Sequence, residues 1–228
     1  MLLSIIRQNQ KLAAKRNPAF DRNRFAKFLI YFMVAFWAAY LIFIGVMLSF
    51  AFEDIFPSME PYHIMNQGLI YLLILDFLLR FMLQPAMSQE IKPYLLMPVK
   101  KNKLVDTLLL QSGISSYNFF WFFLIVPFAL LTIIRFYGFT GILCYLCGIW
   151  LLMAMNSYWY LICKTLLNEK LLYILLPIGV YGLLAGTEFI PEGNPVSTFM
   201  MNLGEGFIEG NILAFLGVIA AILLLLLV

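Results

Sequence analysis

Charge is scarce in this chain. Only 12% of its 228 residues are Asp, Glu, Lys or Arg, against roughly 25% in ordinary soluble domains. That scarcity, with 63% hydrophobic residues and a mean hydropathy of +0.92, excludes a conventional soluble domain. Histidine is reduced to His63 alone, so a paired H-E-x-x-H metal site is impossible. The lone ring reads as an interfacial side chain. Three cysteines, Cys144, Cys147 and Cys163, all lie in apolar runs. Cys144-x-x-Cys147 lacks a second ligand pair, so neither zinc nor a disulfide framework follows. The pattern G-x-x-x-x-G-K-[ST] is missing, which excludes ATP hydrolysis on this chain by a phosphate-binding loop. The opening MLLSIIRQ is too short and too soon charged for a cleavable signal peptide.

What is present is a series of apolar runs, and they predict an all-α polytopic membrane helix bundle of about six spans. Residues 1–27 form the first unit. Leu2, Ile5, Ile6, Leu12 and Ala13 fall near one helical face, with the basic residues mostly elsewhere. That pattern predicts a cytoplasmic amphipathic helix lying in the headgroup plane. The remainder, 28–228, is the transmembrane unit. Its spans are predicted at 28–52, 63–83, 119–134, 142–163, 171–187 and 211–228. Each is set against a hydrocarbon layer of roughly 30 Å. Pro127 predicts a kink in the third span, and Gly138 and Gly141 a tight connection before the fourth. Segment 188–210, with four acids and no basic residue, is predicted as an outer loop with possible short helices.

Charge sign gives the orientation. Of the 15 Lys and Arg residues, all except Arg135 fall on one predicted side, so that side is cytoplasmic and both chain ends lie there. The localisation predicted is a bacterial inner membrane, multi-pass. The final run, ILLLLLV, has no basic anchor, which suggests that chain and further spans follow Val228.

Four features stand out as candidate sites. Asp76 and Arg80 lie at i and i+4, acid first, the better order for a helical ion pair. Intramembrane charges mark functional sites by default. The competing readings are a structural pair with Arg80 snorkelling to the headgroups, a gating or coupling pair, or a substrate contact. Gly182 and Gly186, one turn beyond Gly179, make a G-x-x-x-G face for close helix approach. That approach is within the chain or to a second copy. Trp37, Trp121, Trp150 and Trp159 read as partly interfacial belt residues, and Asn156 and Ser157 as polar glue between helices.

The fourth feature is the cytoplasmic segment 85–118. At its centre Lys92, Pro93, Tyr94, Leu95, Leu96, Met97, Pro98, Val99, Lys100 and Lys101 place an apolar knot between prolines and lysines. Such a knot has no reason to face water. It rests on lipid or docks into a partner.

The amphipathic start, the Leu-Leu-x-Pro-Val-Lys-Lys run at 95–101 and the outer loop before the last span together resemble the permease subunit of type-two ABC exporters. The order of parts is also similar to a longer, uncharacterised bacterial membrane-protein family related to them. The resemblance implies that 1–27 is the elbow helix and that 92–101 is the coupling helix seated on a separate ATPase. It also implies that spans one and five line a homodimer or a pairing with a second permease half. The expected function is therefore export of a substrate the sequence does not identify, with no cofactor on this chain and no nucleic-acid partner. The alternative is a membrane scaffold or assembly factor without transport. An intramembrane enzyme is disfavoured, because no nucleophile–base or metal constellation is visible.

Overall fold

The computed structural model describes residues 24–84, 101–113, 115–187 and 194–227, together with Ser4, Ile6, Gln8, Asn9, Leu12 and Tyr94. Among them the chain is all helix and turn, with no strand. The elements are α1 (Arg24–Ile55), α2 (Pro61–Gln67), α3 (Leu69–Leu83), α4 (Lys101–Gly113), α5 (Phe122–Thr132), α6 (Ile134–Glu169), α7 (Leu175–Gly186), α8 (Pro195–Ile208) and α9 (Ile212–Leu227). Two helices, Lys27–Ile55 and Ile134–Glu169, are long and apolar enough to cross a membrane, and up to five spans result if each bent pair is one span. This is compatible with a membrane protein.

α6 is the central mast. It packs against α3, α4, α5, α8 and α9. Its residues Tyr145, Ile149, Leu152 and Met153 are buried together with Ile125, Phe128 and Ala129 of α5 and Leu69, Ile70 and Leu73 of α3. The backbone leaves helical geometry at Gly138, where φ is +63° and ψ is −163°. That left-handed region favours glycine. The predicted connection at 135–141 therefore contracts to a single break, with helix on both sides.

α1 is nearly bare. It packs mainly on α5, and its outward side carries a ladder of rings, Phe28, Phe32, Phe36 and Tyr40, each stacked on the next at centroid distances of 6.1–6.4 Å. Aromatic side chains this exposed need an apolar environment around them.

Three expectations change. The predicted third span is shorter, because Ser116–Phe119 is a 3-10 turn and α5 begins only at Phe122. The predicted outer loop 188–210, expected to hold at most short helices, contains a 14-residue helix, α8. Asn194 caps it, its Oδ1 accepting from the backbone N–H of Val196 at 3.0 Å and Ser197 at 3.2 Å. Pro195 supplies the first-turn φ. The amphipathic start does not rest its whole apolar face on lipid. Ile6 is fully buried against Leu104 and Leu108 of α4, with Tyr94 packed beside them, whereas Leu12 is exposed.

Candidate functional site

α3 carries the two charges that the sequence singled out. Asp76 and Arg80, one turn apart, are 3% and 1% exposed. Arg80 Nε donates to Asp76 Oδ2 at 2.7 Å. The snorkelling reading of Arg80 fails here, because its guanidinium turns inward. Arg80 Nη2 donates to Asn118 Oδ1 at 2.8 Å. Nη1 is buried with no hydrogen-bond partner among the described residues.

The carboxylate is fully committed. Asp76 Oδ1 accepts from Trp121 Nε1 at 2.8 Å, and Oδ2 accepts a second bond, from Asn156 Nδ2, at 2.8 Å. Three donors on one buried carboxylate compensate its lost hydration. Asn156 Nδ2 also reaches Leu73 O at 2.9 Å, and Asn156 Oδ1 accepts from Tyr181 of α7 at 2.6 Å. Trp121 is thus a buried donor rather than a belt residue. Asn156 does act as polar glue, tying α3, α6 and α7 together.

The network continues toward α4. Asn118 Nδ2 donates to the carbonyls of Gly113 at 2.5 Å and Ser112 at 3.3 Å, the last residues of that helix. Ser112 Oγ meets Ser157 Oγ of α6 at 2.7 Å. Two charges in α3 therefore hold α4, the turn before α5, α6 and α7 in one arrangement. No group in it is poised as a nucleophile or a free base. The arrangement is a hydrogen-bonded clamp in one static geometry.

A second contact fixes the end of α3. Lys164 Nζ donates to Phe81 O at 2.8 Å and also to Gln84 O, and Tyr160 Oη donates to Gln84 O at 2.8 Å. A cation at a helix C-terminus offsets the partial negative charge of the exposed carbonyls. The sequence marks Lys164 only as the end of a span.

At the opposite end of α2–α3, His63 Nδ1 pairs with Glu205 Oε1 of α8. His63 is not merely an interfacial side chain. The two residues are 142 positions apart, so no local spacing announces the pair. Arg135 and Glu53 meet at 2.7 Å but are 56% and 41% exposed, and such surface pairs contribute little.

The glycine face of α7 touches nothing described. A Cβ added at Gly179, Gly182 or Gly186 meets no atom within 4 Å. Among the described residues, no helix packs against that face. Of the knot at 92–101, only Tyr94 has a described side chain, and it faces the Ile6–Leu104–Leu108 cluster. Lys101 opens α4. Lys92, Pro93, Leu95, Leu96, Met97, Pro98, Val99 and Lys100 lie outside the described residues. No group of three or more His, Cys, Asp or Glu that could hold a metal occurs among the described residues.

No curated protein and no solved structure matches the chain. A family does, across most of the bundle and the whole network around Asp76. Over residues 10–228 the chain belongs to a family of unknown function (DUF5687).

Proposed function

We propose that this chain is the membrane-embedded permease subunit of an ABC-type exporter, with six spans and both ends in the cytoplasm. A separate ATPase docks on residues 92–101, and the chain moves a substrate outward by rearranging its helices. The observation that carries this reading is the route from that segment into the bundle. α4 leads straight out of it and ends in Ser112 and Gly113, whose carbonyls are bonded to Asn118, the partner of Arg80. A push on α4 reaches α3, α6 and α7 through hydrogen bonds in a medium of low polarity. The contact of Ile6 and Tyr94 with Leu104 and Leu108 supports an amphipathic start that braces α4 from the cytoplasmic side. Purification in mild detergent tests the reading. An ATP-binding subunit with a phosphate-binding loop is expected to accompany the chain. Its consistent absence would favour a non-transporting scaffold.

The orientation has its own test. In a variant lacking the native cysteines, Ser58→Cys and Ser197→Cys are expected to react with an impermeant thiol reagent added to intact cells, and Asn102→Cys is not. Labelling of Asn102→Cys would reverse the charge-based orientation.

The open glycine face of α7 supports pairing with a second permease half, the close-approach geometry that G-x-x-x-G permits. Replacing Gly182 and Gly186 with Leu is expected to lower the yield of crosslinked dimer severalfold, with membrane insertion unchanged. An undiminished dimer would assign this face to lipid.

A further inference from the structure

Where α1 ends, a short turn leads into α2 and borders a cavity of about 320 Å³. The turn is firmly built. Phe56 N–H donates to Phe52 O and Met59 N–H to Phe56 O, each at 3.1 Å. Pro57 fixes one φ within it, and Pro61 opens α2 at the first-turn position. Arg135 and Phe136, at the start of α6, complete the wall. The volume is at the small end of the range for ligand sites, roughly 300–1,000 Å³.

The charges in this cavity do not cancel. Glu53 and Glu60 line it together with Arg135. Arg135 Nη1 donates to Glu53 Oε1 at 2.7 Å, so these two neutralise each other. Among the described residues Glu60 has no ion-pair partner. It stands at the N-cap of α2, where a side-chain oxygen commonly accepts from the first-turn N–H groups. Yet its side chain makes no capping bond, and its Oε2 is buried with no hydrogen-bond partner among the described residues. A carboxylate shielded from water on one side, with no donor there, carries a poorly compensated charge. The rings of Phe56 and Phe136, both partly exposed, line the same cavity, and an aromatic face also attracts a cation.

We propose that this cavity binds a primary ammonium group. The ammonium donates to the Glu60 carboxylate, and the apolar body behind it rests on Phe56 and Phe136. A metal ion fits less well, because two carboxylates line the cavity and one of them is already bonded to Arg135. The cavity sits at the end of the apolar helix Lys27–Ile55, so it lies at the rim of any bilayer that this helix crosses. A soluble amine and the ethanolamine headgroup of a lipid both present an ammonium at that level. The site stands independently of the ATPase reading, since none of its residues lies in α4 or in segment 92–101.

The test uses the full chain purified in detergent, with radiolabelled phenethylammonium as the probe and scintillation proximity as the readout at neutral pH. Saturable binding is expected. Phenethyl alcohol, which keeps the ring and lacks the charge, is expected not to displace the probe. Glu60→Gln is expected to weaken binding by about tenfold or more, as losing one charge-assisted hydrogen bond would. Arg135→Gln, which frees the Glu53 carboxylate, is expected to tighten it severalfold, a change that general loosening of the turn could not produce. Dihexanoyl phosphatidylethanolamine as competitor separates the two sources. Displacement at lower concentration than by unlabelled phenethylammonium assigns the lipid headgroup, and displacement only at higher concentration assigns a soluble amine. Equal binding by the native and Glu60→Gln proteins would overturn the proposal. So would displacement by phenethyl alcohol as effective as that by the unlabelled probe.

Discussion

Asp76→Ala is expected to destabilise the chain more than any other single change, by about 3–5 kcal/mol. The cost is not the loss of attraction alone. Arg80, 1% exposed, would remain charged with no counter-ion, and Trp121 Nε1 would lose its acceptor. An uncompensated guanidinium in an apolar interior is expensive whichever medium surrounds the bundle. Folded yield in detergent should fall sharply, and the surviving fraction should unfold at a lower temperature.

The informative comparison is a double-mutant cycle. Asp76→Asn or Arg80→Gln alone leaves one buried charge unpaired. Together they remove both charges and keep amide groups near Trp121, Asn156 and Asn118. The double variant should therefore be more stable than the sum of the single losses, by a coupling of about 0.5–3 kcal/mol. Thermal unfolding in one detergent measures all four proteins. Small and additive losses would mean that the pair does not hold the bundle. If the pair also relays motion from α4, the double variant folds but loses the coupling of ATP hydrolysis to its partner chain. A purely structural pair would leave that coupling intact.

How much of this was legible in the sequence depends on the range over which the physics acts. The long helices α1 and α6 follow from apolar runs that water cannot accommodate, and the ion pair follows from i,i+4 geometry within α3. The rest of the clamp acts across helices. Asn118, Trp121 and Asn156 lie 38, 45 and 80 positions from their partners on α3, and no periodicity within one segment links them. Trp121 illustrates the difficulty: near a span end, an indole that bonds a headgroup and one that bonds a buried carboxylate have the same sequence signature. α8 did carry a local signal in Asn194-Pro195, a cap followed by a first-turn proline. Its glycines and acids outweighed that signal and made the segment read as a loop with at most short helices. The His63–Glu205 contact had no signal at all, because a single histidine has no spacing to read.

The second large effect concerns Leu95 and Leu96. In the proposed assembly these side chains fill a groove on the ATPase, and a fully buried Leu contributes roughly 1.5–3 kcal/mol. Central anchors of this kind commonly cost at least about 2 kcal/mol on truncation, and glutamate adds the cost of burying a charge. Leu95→Glu with Leu96→Glu should therefore weaken docking by about two powers of ten or more, since each 1.4 kcal/mol is about tenfold. Insertion should survive, because the proposed topology puts both positions outside the hydrocarbon. If the knot rests on lipid instead, the same change loosens the segment from the surface and leaves any ATPase bound.

Recovery of the ATPase with the chain, compared between the native protein and the Leu95→Glu, Leu96→Glu variant at equal membrane yield, is the most direct measurement of the central claim. The account predicts that the native chain brings down an ATP-binding subunit and that the variant recovers about a hundredth as much or less. Equal recovery with both proteins would contradict the assignment of 92–101 as the docking element, and with it the reading of this chain as an exporter permease.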